Sequence, residues 1–326
     1  MKKVLVIRLS SIGDIVLTTP VIRCLKQQLP GVRVHFAVKK QFQGVISANP
    51  NIDKVHVFDG DLKAFANELK REGFDFVADL HKNFRSAYIR RKLGVPSAGF
   101  PKLNIRKWLY TKLKINLMPD LHIVDRYFTA VIPLGIKNDG NGLDYFIPAE
   151  DEVDISTLPA GFGEGYVAFA IGAMHATKRL SDHKIIGICT GLDKPVLLLG
   201  GMDDAERGEA IAAQAGDTVA NYCGKLSINQ SASLVRQADA VITHDTGLMH
   251  IAAAFQKNIV SVWGNTVPEF GMSPYMPENQ ERSTIVEVKG LSCRPCSKLG
   301  YDRCPKKHFR CMERIEVEEV IRTVRL

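Results

Sequence analysis

Four turns in this sequence carry residue types whose spacing could do chemistry. The first is Ser10-Ser11-Ile12-Gly13-Asp14, which follows an apolar run and opens a helical pattern. Ser11 and Asp14 have the S-x-x-D spacing of a capping box, so the Asp14 carboxylate can simply reach back to the helix start. The same carboxylate, kept ionised by the helix N-terminus at the carboxyl end of a strand, could instead act as a base, with Gly13 letting another molecule approach closely. The second turn is Thr243-His244-Asp245-Thr246-Gly247-Leu248-Met249-His250, a strand running into a helix. The free N–H groups of that helix start form an anion site, Thr246 adds a hydroxyl and Gly247 makes room for a phosphate. Asp245 either caps the helix or bonds sugar hydroxyls, and His250 either packs or faces solvent.

The third turn, Gly172-Ala173-Met174-His175-Ala176-Thr177-Lys178-Arg179-Leu180, puts two cations at another strand end. Lys178 and Arg179 are either surface charge or a counter-charge for a departing diphosphate. In the second case the opposing helix N-terminus would make a divalent metal unnecessary, and no D-x-D pair of metal-binding type stands at a strand end. The fourth turn, Leu199-Gly200-Gly201-Met202-Asp203-Asp204-Ala205-Glu206, offers carboxylates that cap a helix or bind ribose hydroxyls. A further cluster, Cys293-x2-Cys296-x7-Cys304-x6-Cys311 with His308, has enough soft ligands for zinc, with reduced structural thiols as the alternative. Cys24, Cys189 and Cys223 sit among apolar or small neighbours and are expected to be buried and inert.

These turns need elements to position them. Strands are expected over Lys3–Leu9, Val32–Val38, Val55–Phe58 and Phe74–Leu80, with helices over Asp14–Leu29, Ala64–Glu72 and about Arg85–Leu93. After a Gly-, Asn- and Pro-rich stretch the alternation restarts. Strands follow at Tyr166–Ile171, Pro195–Leu199, Ala240–Thr243 and Ile259–Val262; helices at about Ser181–Thr190, Ala205–Gln214, Ser227–Gln237, Gly247–Ala254 and Val317–Leu326. Continuous Val/Ile/Leu strands separated by helices indicate parallel sheets covered on both faces, hence an α/β protein. A chain of 326 residues suits two such domains, expected at 1–155 and 156–326.

Composition narrows the class. With 45% hydrophobic and 24% charged residues the chain reads as globular, and no apolar stretch reaches membrane-spanning length. The apolar start stops at Arg8 with no cleavage site after it, so a cytoplasmic protein is expected, where permanent disulfides are disfavoured. The net charge is +8, and from His81 to Lys114 there are ten Lys or Arg and no Asp or Glu. That stripe is either a solvated face or a site for an anionic partner. The absence of G-x-G-x-x-G after the first strand argues against a dinucleotide dehydrogenase.

Taken together, the order of turns resembles glycosyltransferase family nine, the heptosyltransferases of lipopolysaccharide core biosynthesis. Val4 through Pro20 looks like the family's opening motif, and Thr177-Lys178-Arg179 and Asp245-Thr246-Gly247-Leu248-Met249-His250 look like its two donor motifs. The resemblance implies a GT-B fold, with two Rossmann-like domains facing across a cleft, and an inverting, metal-independent transfer that needs no cofactor beyond its nucleotide-sugar substrate, ADP-heptose. By position Asp14 would be the base and Lys178 would stabilise the leaving diphosphate. Thr177, Asp204, Asp245, Thr246, Gly247 and His250 would bind the donor in the second domain. Ser11, Gly13, Arg85, Arg90 and Arg91 would meet an anionic, lipid-linked saccharide acceptor in the first domain, with peripheral contact to the inner membrane face. The family often has Trp-Pro after its Lys-Arg pair; here Leu180-Ser181 follows, which changes the expected shape of the nucleotide or sugar pocket. The competing readings are the same fold using another nucleotide sugar, a catalytically silent relative, or a basic nucleic-acid-binding protein. The last leaves both Asp turns unexplained, so no nucleic acid is expected.

Overall fold

The computed structural model describes residues 2–324. Contacts divide the chain into two units, Met1–Lys102 with Leu121–Phe146, and Leu103–Asp120 with Ile147–Leu326. Among the described residues no helix is long and apolar enough to cross a membrane.

In the first unit, β1 (Lys3–Ile7) forms where Val4, Leu5, Val6 and Ile7 are all fully buried, as a strand covered on both faces requires. The single helix expected over Asp14–Leu29 is two, α1 (Ile12–Val16) and α2 (Thr19–Gln28). They break at Leu17 and Thr18 because Pro20 begins a helix far more readily than it continues one. Next come β2 (Arg33–Lys39), β3 (Lys54–Phe58) and α3 (Leu62–Arg71), the last capped by Asp61, which accepts from the N–H groups of Lys63 and Ala64. Then β4 (Phe76–Asp79) leads into α4 (Phe84–Leu93), which starts on the Asn83 cap and stops at Gly94, whose φ of 69° suits glycine. A short β5 (Ser97–Gly99) closes the sheet. The order is β3-β2-β1-β4-β5, all parallel. The chain winds outward from β1 through β2 and β3, then returns to the other side for β4. This puts a topological switch point between β1 and β4, and ligands of open α/β sheets bind beyond the carboxyl ends of strands there.

Helix α5 (Asn104–Leu113) leaves this unit and packs with the second, and α6 (Ile123–Phe128) returns to the first. The returning segment is tied down by Arg23 of α2. Its guanidinium makes two 2.8 Å bonds to Asp139, a 2.6 Å ion pair with Asp144 and a 2.9 Å bond to the Gly142 carbonyl. Under the sheet, the buried rings of His35 and His56 share a 2.9 Å hydrogen bond. Donor atoms of these two and Glu72 lie within 4.8 Å of one another. Lys3 and Lys54 already neutralise that carboxylate, so the cluster is a satisfied polar core.

The second unit runs β6 (Val167–Ala170), α7 (Asp182–Gly191), β7 (Val196–Leu199), α8 (Ala205–Ala215), β8 (Val219–Asn221) and α9 (Ile228–Gln237), whose start is boxed by Ser227 and Gln230. It continues with β9 (Ala240–His244), α10 (Gly247–Ala254), β10 (Asn258–Trp263), β11 (Ser283–Glu287), α11 (Arg310–Glu313) and α12 (Val317–Thr323). The helix expected to Leu326 is described to Thr323; Arg325 and Leu326 lie outside the described residues. The sheet order is β11-β10-β9-β6-β7-β8, again wholly parallel. Its switch point falls between β6 and β9, the two strands that carry the Lys178 and Asp245 turns.

Candidate functional site

At the first switch point Asp14 lies one turn into α1. Its carboxylate takes a 2.6 Å ion pair from Arg8 and accepts from the Ser11 hydroxyl at 3.0 Å and the Ser11 N–H at 3.4 Å. The last contact is the reach-back of a capping box, so Asp14 caps and pairs at once. Burial alone would raise its pKa; the Arg8 charge and the Ser11 donors outweigh that and hold it below the ordinary aspartate value. The carboxylate remains 23% exposed, enough for a substrate hydroxyl to reach it. Arg8 itself is fixed by the carbonyls of Ser10 (2.7 Å) and Leu80 (2.6 Å) and by the Tyr127 hydroxyl at 3.1 Å. His81, after β4, is pushed down to about 3, by burial first and then by Arg8, so its ring is neutral. Neither Arg8 nor His81 was expected from sequence. For Arg8 the usable signal was a lone charge just past the apolar first strand.

The basic stripe is not uniform. Asp79, fully buried at the end of β4, accepts from the N–H groups of His81 and Lys82 and from the Ser86 hydroxyl, and pairs with Arg90 at 3.2 Å. Arg90 therefore has a structural partner lying just outside the acid-free stretch. Arg85 and Arg91 are exposed.

At the second switch point the Lys178 ammonium sits 2.5 Å from Asp245 Oδ2 and 3.3 Å from the Asp245 carbonyl. The Thr266 hydroxyl donates to the same carboxylate oxygen at 2.9 Å. Asp245 thus holds the lysine side chain, a role not foreseen for it. Thr246 is the N-cap residue of α10, yet no side chain caps that helix start, and the Thr246 hydroxyl is 3.3 Å from that of Thr243. The backbone donors of the Gly247 turn are left for an anion beside an ammonium group. His250 is buried in α10 at 2% exposure.

Residues 62–302 match the family model described as glycosyltransferase family 9 (heptosyltransferase). The chain belongs to glycosyltransferase family 9. It is an enzyme of the glycosyltransferase class. Lipopolysaccharide heptosyltransferase 1 of Pseudomonas aeruginosa is 24% identical to it, over 99% of this chain and 94% of that protein. A family 9 glycosyl transferase from Veillonella parvula matches with a TM-score of 0.77 at 22% identity, covering 99% of this chain and 96% of that one. The Escherichia coli heptosyltransferase WaaC with ADP matches with a TM-score of 0.66 at 22% identity, covering 87% and 92%. The structural likenesses establish a GT-B type α/β fold.

Against the family 9 pattern, Leu180 in place of tryptophan is 1% exposed and belongs to the unit's core. Its N–H donates to Nε2 of His244 at 3.1 Å. Burial pushes that imidazole down to about 3, so its lone pair stays available and keeps the Lys178 loop in place. Thr177 is occupied by the tail: its hydroxyl donates to the Tyr301 carbonyl at 3.0 Å and accepts from the Tyr301 N–H at 2.8 Å. Asp204 is 5% exposed; Oδ2 accepts from the Gly201 N–H at 3.0 Å and Oδ1 pairs with Arg179 at 3.2 Å. Glu206, the other acid of that turn, is exposed.

The tail cysteines are all free thiols, with Cys293, Cys296 and Cys304 half-buried and Cys311 buried. Cys293 Sγ is 3.8 Å from His308 Nε2, and the Cys296 thiol donates to the Cys293 carbonyl at 3.0 Å. Burial, then the neighbouring thiols, push Cys296 up to about 11 and Cys311 to about 12. Among the described residues no three of these sulfur and imidazole donors converge within 4.8 Å.

Proposed function

We propose that this family 9 enzyme moves a heptose from ADP-heptose to a lipopolysaccharide-core acceptor by a single inverting displacement without a metal ion. The observation that carries the reading is that each parallel sheet presents its chemistry-bearing turn at its own switch point: Asp14 with Arg8 in one, Lys178 with Asp245 and the open α10 start in the other. The names of the relatives support donor and acceptor: one is a lipopolysaccharide heptosyltransferase, and WaaC was solved with ADP and with an ADP-heptose analogue.

In this mechanism the first unit, Met1–Lys102 with Leu121–Phe146, binds the acceptor, with Ser11 and Gly13 bordering its hydroxyl. Asp14 takes the hydroxyl proton as the oxygen attacks the anomeric carbon from the side opposite the diphosphate. The bond from that carbon to the phosphate oxygen breaks with its electron pair, and ADP departs. Its developing charge is met by Lys178, by the Thr246 hydroxyl and by the N–H groups of the Gly247 turn. Asp245 keeps the ammonium aimed until the diphosphate oxygens share it. Asp204 acts by holding Arg179, and exposed Glu206 is the carboxylate for the ribose. Arg85 and Arg91 draw the phosphates and acidic sugars of a lipid-linked acceptor at the cytoplasmic membrane face.

A thermal-shift panel of ADP, GDP and UDP, with and without attached sugars, tests the donor. Stabilisation by the adenine series, lost in Lys178→Ala and unchanged by chelator, is the expected result. A shift only with GDP or UDP transfers the reading to another nucleotide sugar; silence from every nucleotide overturns it.

A further inference from the structure

Helix α5 departs from the ordinary rule for a surface helix, since none of its residues is buried. One side is held down. Tyr110 packs edge-on against Phe270 with ring centroids 5.9 Å apart, Lys107 lies over the same ring at 5.7 Å, and just past the helix Lys114 donates to the carbonyls of Cys293 and Pro295 at 3.0 and 2.7 Å. The other side faces solvent. Ile105, Trp108 and Leu109 stand at i, i+3 and i+4 and share a stripe, with Leu113 another turn along. Ile105 is 76% exposed, Trp108 53% and Leu113 55%, and Ile115 and Leu117 extend the apolar strip past the helix end. Arg106 borders it and Lys112, i+4 from Trp108, stands within it, both exposed. From Lys102 to Lys114 there are five Lys or Arg and no acid.

We propose that this face of α5 docks on an anionic phospholipid bilayer, with Ile105 and Trp108 entering the interface between headgroups and acyl chains. Charge complementarity selects the occupant. A second copy of the chain would bring two acid-free basic stripes together. A nucleic acid would meet the cations but find aliphatic side chains and a single tryptophan where stacking aromatics are needed. A bilayer with anionic lipids answers both features: its surface attracts the Lys and Arg rim, and its interface accepts the aliphatic stripe and the amphipathic indole. The purpose of the contact rests on the proposed lipid-linked acceptor; the contact itself is measured without one.

The test uses the full chain with vesicles of phosphatidylcholine alone or mixed with phosphatidylglycerol, comparing wild type with the double variant Ile105→Ser, Trp108→Ser. The only other tryptophan, Trp263, is 1% exposed and gives a constant background. Expected are sedimentation with the mixed vesicles only, a blue shift and brominated-lipid quenching of Trp108 emission, and a bound fraction at least about fivefold lower in the variant. The variant's melting temperature and its response to ADP should match wild type, because both side chains are exposed. An absence of binding, binding undiminished in the variant, or an unshifted emission on bound vesicles overturns the proposal. So does concentration-dependent self-association removed by the same two changes, which assigns the face to a second copy. A failed nucleotide panel with intact vesicle binding would sink the donor reading alone.

Discussion

Arg8 closes the first strand and Asp14 sits one turn into the helix that follows, and the 2.6 Å ion pair between them joins the two sides of the switch-point turn. Because Arg8 and Ser11 hold the carboxyl below its ordinary value, Asp14 is fully ionised at any working pH. The acid limb of kcat/KM should therefore lie below the usual aspartate range. In Arg8→Gln only the Ser11 donors are left to oppose burial, so the limb moves upward in pH. Asp14→Asn should cut turnover by about 10² to 10⁴ while leaving ADP binding intact. A pH profile unmoved by Arg8→Gln would show that the pair does not set the base.

Lys178 and Asp245 should separate in their effects. Removing the ammonium in Lys178→Ala should lower kcat by about 10² to 10³, the loss seen when one donor to a developing anion is deleted. Asp245→Ala leaves the charge but frees the side chain, so KM for the donor should rise more than kcat falls. Steady-state kinetics against donor concentration distinguishes the two.

The Arg23 network makes a stability prediction. Asp139 is held at about 2, first by its hydrogen bond to Arg23, and burial raises Asp144 beside it. Arg23→Leu strands both carboxylates and should cost about 3–5 kcal/mol. Thermal unfolding followed by circular dichroism should show the loss, while the ADP-dependent shift survives.

His35 and His56 set an acid-side slope. Burial lowers both, His35 to about 4, so the folded protein keeps them neutral while the unfolded chain protonates near 6.5. Between those values the unfolded state binds more protons, and stability falls as pH falls, by at most about 1.4 kcal/mol per pH unit for each ring. His35→Gln keeps a partner for His56 and removes one titrating group, so the slope from urea unfolding between pH 6.5 and 4.5 should shrink.

Arg85→Glu with Arg91→Glu should raise acceptor KM and leave donor affinity alone. Arg90→Glu should in addition lower the melting temperature, since it sets a carboxylate against buried Asp79. Equal melting temperatures for the two variants would show that the 3.2 Å pair contributes nothing.

Much of this was legible in the sequence because continuous apolar strands and cap residues report locally: α10 and the Asp14 and Lys178 turns lie where their patterns place them. Short or polar elements were not. β5, β8 and β11 owe their strand character to parallel neighbours, not to their own alternation. The departure of α5 from its sequence neighbours to the second unit is likewise a tertiary outcome. Within the site, spacing pointed to Asp14, Lys178 and Asp245 and offered the cap that Asp204 makes to Gly201, but could not show that Asp245 grips Lys178 or that Asp204 pairs with Arg179. Hydrogen bonds that join residues dozens of positions apart leave no trace in local periodicity.

The bonds from Thr177 to Tyr301 span 124 positions of chain. A polypeptide emerging from the ribosome reaches Lys178 long before it reaches the residue that pins the loop beside it. The sheet can assemble early, strand by strand, and His244 and Asp245 can then hold Leu180 and Lys178, but Thr177 gains its partner only when nearly all of the protein has been made. The last anchor of the Lys178 turn is thus acquired late in synthesis, and a chain stalled shortly before Tyr301 would own both sheets with Thr177 still unpinned.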